Sequence, residues 1–279
     1  MSETPDSLAL IAGRGDYPLR LARGARKQGV RRIVAVAFRG ETSREIHTVA
    51  DEVIWCPSCA LVAMLAALEQ SGAKHVAMAG QINPKNLFHI RLDRAFVELL
   101  KALPVKNAHT IFSAIIKRIE ALGLTLLPAC EFMQDYVPAA GLLTARAPDE
   151  RELNDIQIGR RVIKDTSHLD IGQTVVVKEG MILAVEAFEG TNQAIRRGGK
   201  LGGKGAVVVK IPKIGHDMRF DIPVVGPQTL KSLRKAGISC LALEEGGAIV
   251  LEKDTLIARA DALGMAVTVL KDDYALRDV

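Results

Sequence analysis

Leu8-Ala9-Leu10-Ile11-Ala12-Gly13-Arg14-Gly15-Asp16-Tyr17-Pro18 is the stretch that decides the fold. Five consecutive apolar residues end on a glycine. A helical pattern follows from Pro18 to Gln28, with Leu19, Ala22 and Ala25 near one face and Gly29 as its stop. This strand–turn–helix unit recurs downstream. Ile33–Ala37 reads as a second strand and Val53–Trp55 as a third. Pro57–Gln70 reads as a helix with Ser58 as its cap, and Val76–Ala79 as a strand again closed by a glycine, Gly80. Helical patterns near Leu92–Ala102 and Thr110–Leu122 and a short strand at Thr125–Leu127 complete the series. Strands alternating with helices predict an α/β fold with a Rossmann-like parallel sheet.

The pattern breaks at Pro138–Pro148, which sets the expected boundary between domains 1–140 and 141–279. The second part opens with a charged helix, Asp149–Lys164. Thr174–Lys178 and Met181–Ala187 then flank Glu179-Gly180 as a hairpin. Strands are expected at Ala206–Lys210 and around Met218–Ile222. Alternation returns with helix Gln228–Lys235, strands Cys240–Leu243 and Ala248–Leu251, helix Thr255–Leu263 and strand Ala266–Leu270. The expectation is a mixed α/β C-terminal domain.

The 279 residues are 48% apolar and 25% charged, which excludes a disordered or collagen-like chain. Lys and Arg number 37 against 32 Asp and Glu, a net charge of +5 that does not by itself imply a nucleic-acid partner. One Trp, three Tyr and seven Phe are too few for a base-stacking platform. Four cysteines make no disulfide framework at this length, so a reducing compartment is expected. Met1–Ser7 is polar and acidic, without the pattern of a signal peptide. The longest apolar stretches, such as Ala60–Leu68, fall short of a membrane span. The expected location is cytoplasmic, with at most peripheral membrane contact.

Five constellations carry candidate chemistry. Gly13 and Gly15 lie where backbone N–H groups approach a phosphate at a helix N-terminus, yet the same residues also suit an ordinary strand–turn–helix junction. An NAD fingerprint fails: Pro18 replaces the third glycine, and Arg39 stands where the second strand's acidic residue belongs. Cys56 and Cys59 form a CxxC that could be a redox dithiol or half a zinc site, although zinc lacks two further ligands and structural or incidental cysteines are the favoured reading. Gly190–Gly215 holds six Lys or Arg, seven glycines and no Asp or Glu. It reads as a flexible cradle for a polyanion such as a diphosphate, or as a solvated mobile loop. Without that segment the remaining chain is close to neutral, so the basicity is local. If Asp217–Asp221 is extended, Asp217, Arg219 and Asp221 share a face beside Lys210 and Lys213. Such a face holds Mg2+ and phosphate, or is simply a salt-bridged strand. Finally Leu169–Gln173 leads into the hairpin. Glu186 sits in an apolar strand pattern, where it reads equally as a site carboxylate or as a paired structural charge, and Thr191 or Asn192 caps the next helix or binds an anion. No G-x-S-x-G, Walker A or H-E-x-x-H motif occurs, so serine nucleophiles and zinc hydrolysis lack support.

Three blocks of the second half carry a family resemblance: Leu169-Asp170-Ile171-Gly172-Gln173, Ala184-Val185-Glu186-Ala187-Phe188-Glu189-Gly190-Thr191, and Lys210-Ile211-Pro212-Lys213 leading to Asp217-Met218-Arg219-Phe220-Asp221-Ile222-Pro223. With Leu10–Gly15, Pro18 and Ala79-Gly80-Gln81-Ile82, they resemble the LpxI-type UDP-2,3-diacylglucosamine pyrophosphatases of lipid A synthesis. The resemblance implies a second domain closing over the substrate. It implies Mg2+-dependent hydrolysis of UDP-2,3-diacylglucosamine to UMP and the acylated sugar 1-phosphate, lipid X. It also implies transient contact with the inner-membrane surface. Asp221 is the implied catalytic residue, and Asp221 with Asp217 the metal ligands. Gly13, Gly15, Gly80, Gln81, Gln173, Glu186, Thr191, Asn192, Lys210, Lys213 and Arg219 are the expected substrate-binding residues. A non-catalytic UDP-sugar sensor and a CxxC redox protein are the alternatives. The sequence does not separate a monomer from a homo-oligomer.

Overall fold

A computed structural model describes residues 4–58, 60–81, 93–220 and 222–274. The chain divides into two compact units, with the break between Gln134 and Asp135; residues 218–220 count with the first unit.

The first unit is built on β1 (Ser7–Ala12), β2 (Arg32–Phe38), β3 (Glu52–Cys56), β4 (His75–Ala79) and β5 (Thr125–Leu126). All pair in parallel in the order β3-β2-β1-β4-β5. Leu8–Ala12 and Ile33–Phe38 are buried at every position, as strands covered on both faces must be. Among the described residues the helices are α1 (Tyr17–Lys27), α2 (Leu61–Ser71), α3 (Arg94–Ala102) and α4 (Ala108–Glu120). Helix α2 begins at Leu61, not Pro57, and Ser58 does not cap it; the Ser58 hydroxyl donates instead to the Arg39 carbonyl at 2.9 Å. The helix is held from outside. The Asp93 carboxylate accepts the Phe96 N–H at 2.8 Å as the cap of α3, and the Val62 N–H of α2 at 2.9 Å. One side chain therefore satisfies the open donors of two helices.

The second unit has a six-stranded mixed sheet. Its strands are β6 (Gly141–Leu142), β7 (Thr174–Lys178), β8 (Met181–Val185), β9 (Ala206–Lys210), β11 (Ile238–Glu244) and β13 (Ala266–Leu270), in the order β6-β13-β11-β9-β7-β8. Strands β9, β11 and β13 are parallel; β7, β8 and β6 run antiparallel to their neighbours. A small pair, β10 (Val224–Val225) and β12 (Ile249–Val250), lies apart. The β7–β8 hairpin forms as expected. Glu179 and Gly180 both have positive φ, and the buried Asp155 carboxylate accepts both their N–H groups at 2.9 and 2.7 Å. Asp155 comes from α5 (Glu150–Asp165), which packs through Ile156 and Ile163 against Val175, Val177, Val207 and Val209. Val176 and Val208 point to the other face, with Ile195, Leu230 and Leu256 of α6 (Thr191–Gly202), α7 (Pro227–Lys235) and α8 (Lys253–Ala262).

Strand β9 forms as expected, and helix α6 overturns the reading of Gly190–Gly215 as a mobile loop or flexible cradle. The glycines inside the helix, Gly198, Gly199 and Gly202, are contact points rather than hinges, while Gly190, Gly203, Gly205 and Gly215 take the positive φ of turns. A Cβ on Gly198 would lie 2.6 Å from Val176 Cγ1, and one on Gly202 2.3 Å from Leu183 Cδ1. At Gly199 the obstacles are Ala236 Cβ at 2.5 Å and the Ala236 carbonyl oxygen at 2.6 Å. Alanine would favour the helix by ~1 kcal/mol, but overpacking against rigid backbone costs ~1–3 kcal/mol or more. Gly199→Ala is therefore expected to lower the urea midpoint at unchanged m-value. A midpoint equal to or above wild type would show that α6 has room there.

The extended reading of Met218–Ile222 is also corrected: residues 218–220 form a turn, so alternation places no common face on Asp217 and Arg219. Phe220 stacks on Phe112 of α4 with ring centroids 5.2 Å apart. Arg219 pairs with Glu120 of the same helix at 2.7 Å. Asp221 lies outside the described residues.

Candidate active site

In open α/β sheets, ligands bind beyond the carboxyl ends of the strands where the strand order reverses. In the first unit that point lies between β1 and β4. The Gly13 N–H donates to the Ala79 carbonyl at 2.8 Å, and Arg14 and Gln81 bridge the two strand ends by reciprocal backbone bonds of 2.8 and 3.3 Å. This bridge explains two of the expected binding glycines. A Cβ on Gly13 would lie 2.8 Å from the Gln81 oxygen; one on Gly80, at φ +86°, would lie 2.7 Å from the Arg14 oxygen. Gly15 is also left-handed at φ +93°, with open space around it. Gly13, Gly15, Gly80 and Gln81 thus meet at one crevice, with Gly13 and Gly80 demanded by the crossing of the chains.

In the second unit the carboxyl ends of β8 and β9 and the start of β7 share one edge of the sheet, because β7 runs against both neighbours. That edge gathers Thr174, Glu186 and Lys210, joined by Thr191 from the first turn of α6. Lys210 Nζ donates to Thr191 Oγ1 at 2.9 Å and to Thr174 Oγ1 at 3.4 Å, while the Thr191 hydroxyl donates to Glu186 Oε1 at 2.9 Å. Lys210 is 3% exposed and Glu186 8%. An ammonium and a carboxylate are thus buried and linked through one hydroxyl. The other Glu186 oxygen, Oε2, is buried and has no hydrogen-bond partner among the described residues, as is the case for Asn192 Oδ1. A buried polar atom left unbonded is costly unless something else satisfies it.

The backbone around the cluster is tightly determined. The Gly172 N–H donates to the Glu186 carbonyl and the Glu186 N–H to the Thr174 carbonyl, each at 2.8 Å. A Cβ on Gly172 would strike Glu186 Cγ at 2.5 Å, so the Leu169–Gln173 block lies directly against Glu186. Gln173 accepts the Ile211 N–H, which fixes it beside Lys210. Helix α6 starts at Gly190 with no side-chain cap and no acidic residue in its first turn. Its positive dipole end therefore adds to Lys210 in favouring an anion.

Of the expected residues, Gln173, Glu186, Thr191, Asn192 and Lys210 come together here. Lys213 instead pairs with Asp170, and Arg219 with Glu120. Thr174 was not anticipated; a threonine at a strand's first residue carries no local signal. Nor was the buried network in which Glu244, at the end of β11, pairs with Lys164 and Arg160 at 2.5 and 3.2 Å. Arg160 and Lys164 are one helical turn apart on α5, a spacing that could have shown them as neighbours. Among the described residues, no three His, Cys, Asp or Glu side chains form a metal-holding group. Cys56 is buried, which pushes its thiol pKa up against a smaller opposing pull from Arg39, where a redox thiol needs a lowered one. Cys59 lies outside the described residues.

Residues 7–136 match the LpxI N-terminal domain and residues 139–268 the LpxI C-terminal domain. This chain belongs to the LpxI family. It is similar to the UDP-2,3-diacylglucosamine pyrophosphatase LpxI of Caulobacter vibrioides, with 29% identity over 93% of this chain and 96% of the relative. Among solved structures, a pyruvate carboxylase of Rhizobium etli with acetyl coenzyme A aligns over 72% of this chain and 18% of its own, at 14% identity and a TM-score of 0.28. That likeness is too weak to bear on fold or function. The α/β architecture expected for the LpxI family, a parallel sheet followed by a mixed one, is the architecture observed. Among the described residues, no helix is long and apolar enough to cross a membrane.

Proposed function

We propose that this chain hydrolyses the diphosphate of UDP-2,3-diacylglucosamine, releasing UMP and 2,3-diacylglucosamine 1-phosphate, a step of lipid A biosynthesis. The observation that carries the reading is the match along nearly the whole of both chains to a relative named for that reaction. Hydrolysis of a diphosphate needs neutralised phosphoryl charge, an activated water and exclusion of competing solvent. Lys210 supplies a buried positive charge whose orientation is set by Thr174 and Thr191. The uncapped start of α6 supplies backbone donors for a phosphate oxygen. Gln173 and Asn192 complete the polar lining. Glu186 balances the ammonium through the Thr191 hydroxyl and keeps one carboxylate oxygen available for a ligand.

Asp221 is proposed as the catalytic carboxylate, and Asp217 with Asp221 as Mg2+ ligands. Their hard oxygen donors suit Mg2+, which takes one or two carboxylates, substrate phosphates and several waters rather than an all-protein cage. When bound, Mg2+ polarises a phosphoryl oxygen and lowers the pKa of a coordinated water. A diacyl substrate resides in a bilayer, so the proposed workplace is the cytoplasmic face of the inner membrane, touched transiently.

The test is incubation of the purified protein with UDP-2,3-diacylglucosamine in detergent micelles, with and without Mg2+. UMP release that EDTA stops and added Mg2+ restores is the expected result. Release that survives chelation removes the metal from the account. Binding of intact substrate without release replaces the enzyme by a UDP-sugar sensor.

A further inference from the structure

A cavity of about 670 Å³ opens in the first unit beyond the carboxyl ends of β2 and β3, lined by Arg39, Glu41, Thr42, Arg44, His47 and Trp55. None of these residues takes part in the cluster around Lys210. We propose that this cavity is a binding site for a nucleoside 5′-phosphate. The proposal goes beyond the hydrolytic reading and rests on it only for the choice of UMP as probe.

Three features point to that ligand class. The first is position: the pocket stands next to the β1/β4 switch point, and Thr42 ties the two places together. Its hydroxyl donates to the Ala12 carbonyl and accepts the Phe38 N–H at 2.8 Å. The second is a carboxylate. The β2 strand ends at Phe38, and a tight turn, with the Glu41 and Thr42 N–H groups both donating to the Phe38 carbonyl, brings Glu41 back into the fold. The Glu41 side chain is 4% exposed and pairs with Arg14 Nε at 3.2 Å. An acidic residue just past the second strand is the group that accepts ribose hydroxyls in nucleotide-binding α/β folds. The third is the pairing of aromatic surface with uncompensated cations. Trp55 is half-buried, and its indole N–H donates to His47 Nε2 at 3.3 Å, with the ring centroids 5.9 Å apart. Among the described residues neither Arg39 nor Arg44 has an ion pair, so two guanidinium groups are free to take a phosphate dianion. Arg44 and His47 are held in place by a single 3-10 turn, Arg44–Thr48, capped by Ser43 and anchored by the fully buried Ile46. The volume falls within the range of small-molecule sites.

Trp55 is the only tryptophan of the chain, so emission excited at tryptophan in preference to the three tyrosines reports on this pocket. Titrating the full chain with UMP is expected to change Trp55 emission saturably, and uridine is expected to bind at least about ten-fold more weakly because it lacks the charge-assisted bonds to Arg39 and Arg44. Arg44→Ala, an exposed substitution that leaves Ile46 in place, is expected to weaken UMP about ten-fold and to narrow the gap to uridine. Glu41→Gln is expected to weaken UMP and uridine alike. An emission that UMP leaves unchanged, or an Arg44→Ala protein that binds UMP as wild type does, overturns the proposal. UMP binding in a wild-type protein that never hydrolyses UDP-2,3-diacylglucosamine upholds this pocket and overturns the hydrolytic reading. Hydrolysis with Trp55 silent to UMP does the reverse.

Discussion

Lys210→Met is expected to lower turnover of UDP-2,3-diacylglucosamine by roughly 10²–10³-fold, the range seen when one preorganised donor to a developing anion is removed. The physical case begins with burial. A 3%-exposed ammonium is expensive to keep, and among the described residues two hydroxyls satisfy it, Thr191 at 2.9 Å and Thr174 at 3.4 Å. Its remaining donor capacity is what an anionic substrate would use. Methionine has nearly the same length and removes the charge, so packing against β7 and α6 survives. The substitution also leaves Glu186 buried without its counter-charge, and breaking a buried pair on one side is destabilising. The double variant Lys210→Met with Glu186→Gln removes both charges and is expected to recover most of the lost thermal stability while remaining inactive. Activity and stability thereby separate. A single variant within about three-fold of wild-type turnover would place phosphate charge neutralisation elsewhere, the threshold being well below the effect of one such donor.

The second large effect is on stability, at Glu152. This side chain is 1% exposed and accepts from Arg146 at 2.8 and 3.0 Å, from the Ser239 hydroxyl at 2.6 Å and from the Asp149 N–H at 3.0 Å. It is the N3 member of a capping box with Asp149, so one carboxylate starts α5 and ties it to the Arg146 segment and β11. Burial alone raises its pKa. The Arg146, Ser239 and Asp149 bonds more than offset this and hold the carboxyl at about 2, below its ordinary 4.5. A group whose folded pKa lies below its unfolded value stabilises the fold above the unfolded value. That contribution is lost as pH falls through the folded one. The stability due to Glu152 is thus whole at neutral pH and lost between about pH 4.5 and about pH 2. It amounts to ~3 kcal/mol on the linkage relation. Glu152→Leu is expected to cost ~3–5 kcal/mol at neutral pH, since it strands Arg146 and leaves the Asp149 N–H without its acceptor. The Asp149 carboxylate still caps the backbone N–H of residue 152, so what α5 loses is the reciprocal half of the capping box. The substitution should also flatten the acid limb of the stability curve. A variant whose denaturation midpoint falls with acid as steeply as wild type would show that other carboxylates govern that limb.

How much of this was legible in the sequence depends on how local each signal is. The apolar runs Leu8–Ala12 and Ile33–Ala37 announced a parallel sheet because both faces of each strand are covered, and the covering helices follow directly in the chain. Glu179-Gly180 announced its hairpin because the turn needs positive φ at both positions. The glycines of α6 were misread for the opposite reason. Composition alone does not separate a glycine that bends from one that lets a neighbour approach. The neighbours Val176, Leu183 and Ala236 lie 19 or more residues away from the nearest of the glycines they meet, Gly202, Gly198 and Gly199. Glu186, Thr191, Asn192 and Lys210 were each singled out, but their meeting depends on the antiparallel course of β7 and β8, and Thr174 joins them only through that course. Glu41 escaped because the acidic residue was sought at the end of the second strand, where Arg39 stands. The turn after Phe38 returns it to the pocket two residues later.

The central claim is that this chain cleaves a nucleotide-linked diphosphate. Phosphorus-31 NMR of wild-type protein incubated with UDP-2,3-diacylglucosamine and Mg2+ tests it most directly. The coupled diphosphate signals are expected to give way, in equal amounts, to two monophosphate signals, those of UMP and of the acylated sugar 1-phosphate. Diphosphate signals that persist unchanged beside a folded protein would contradict it.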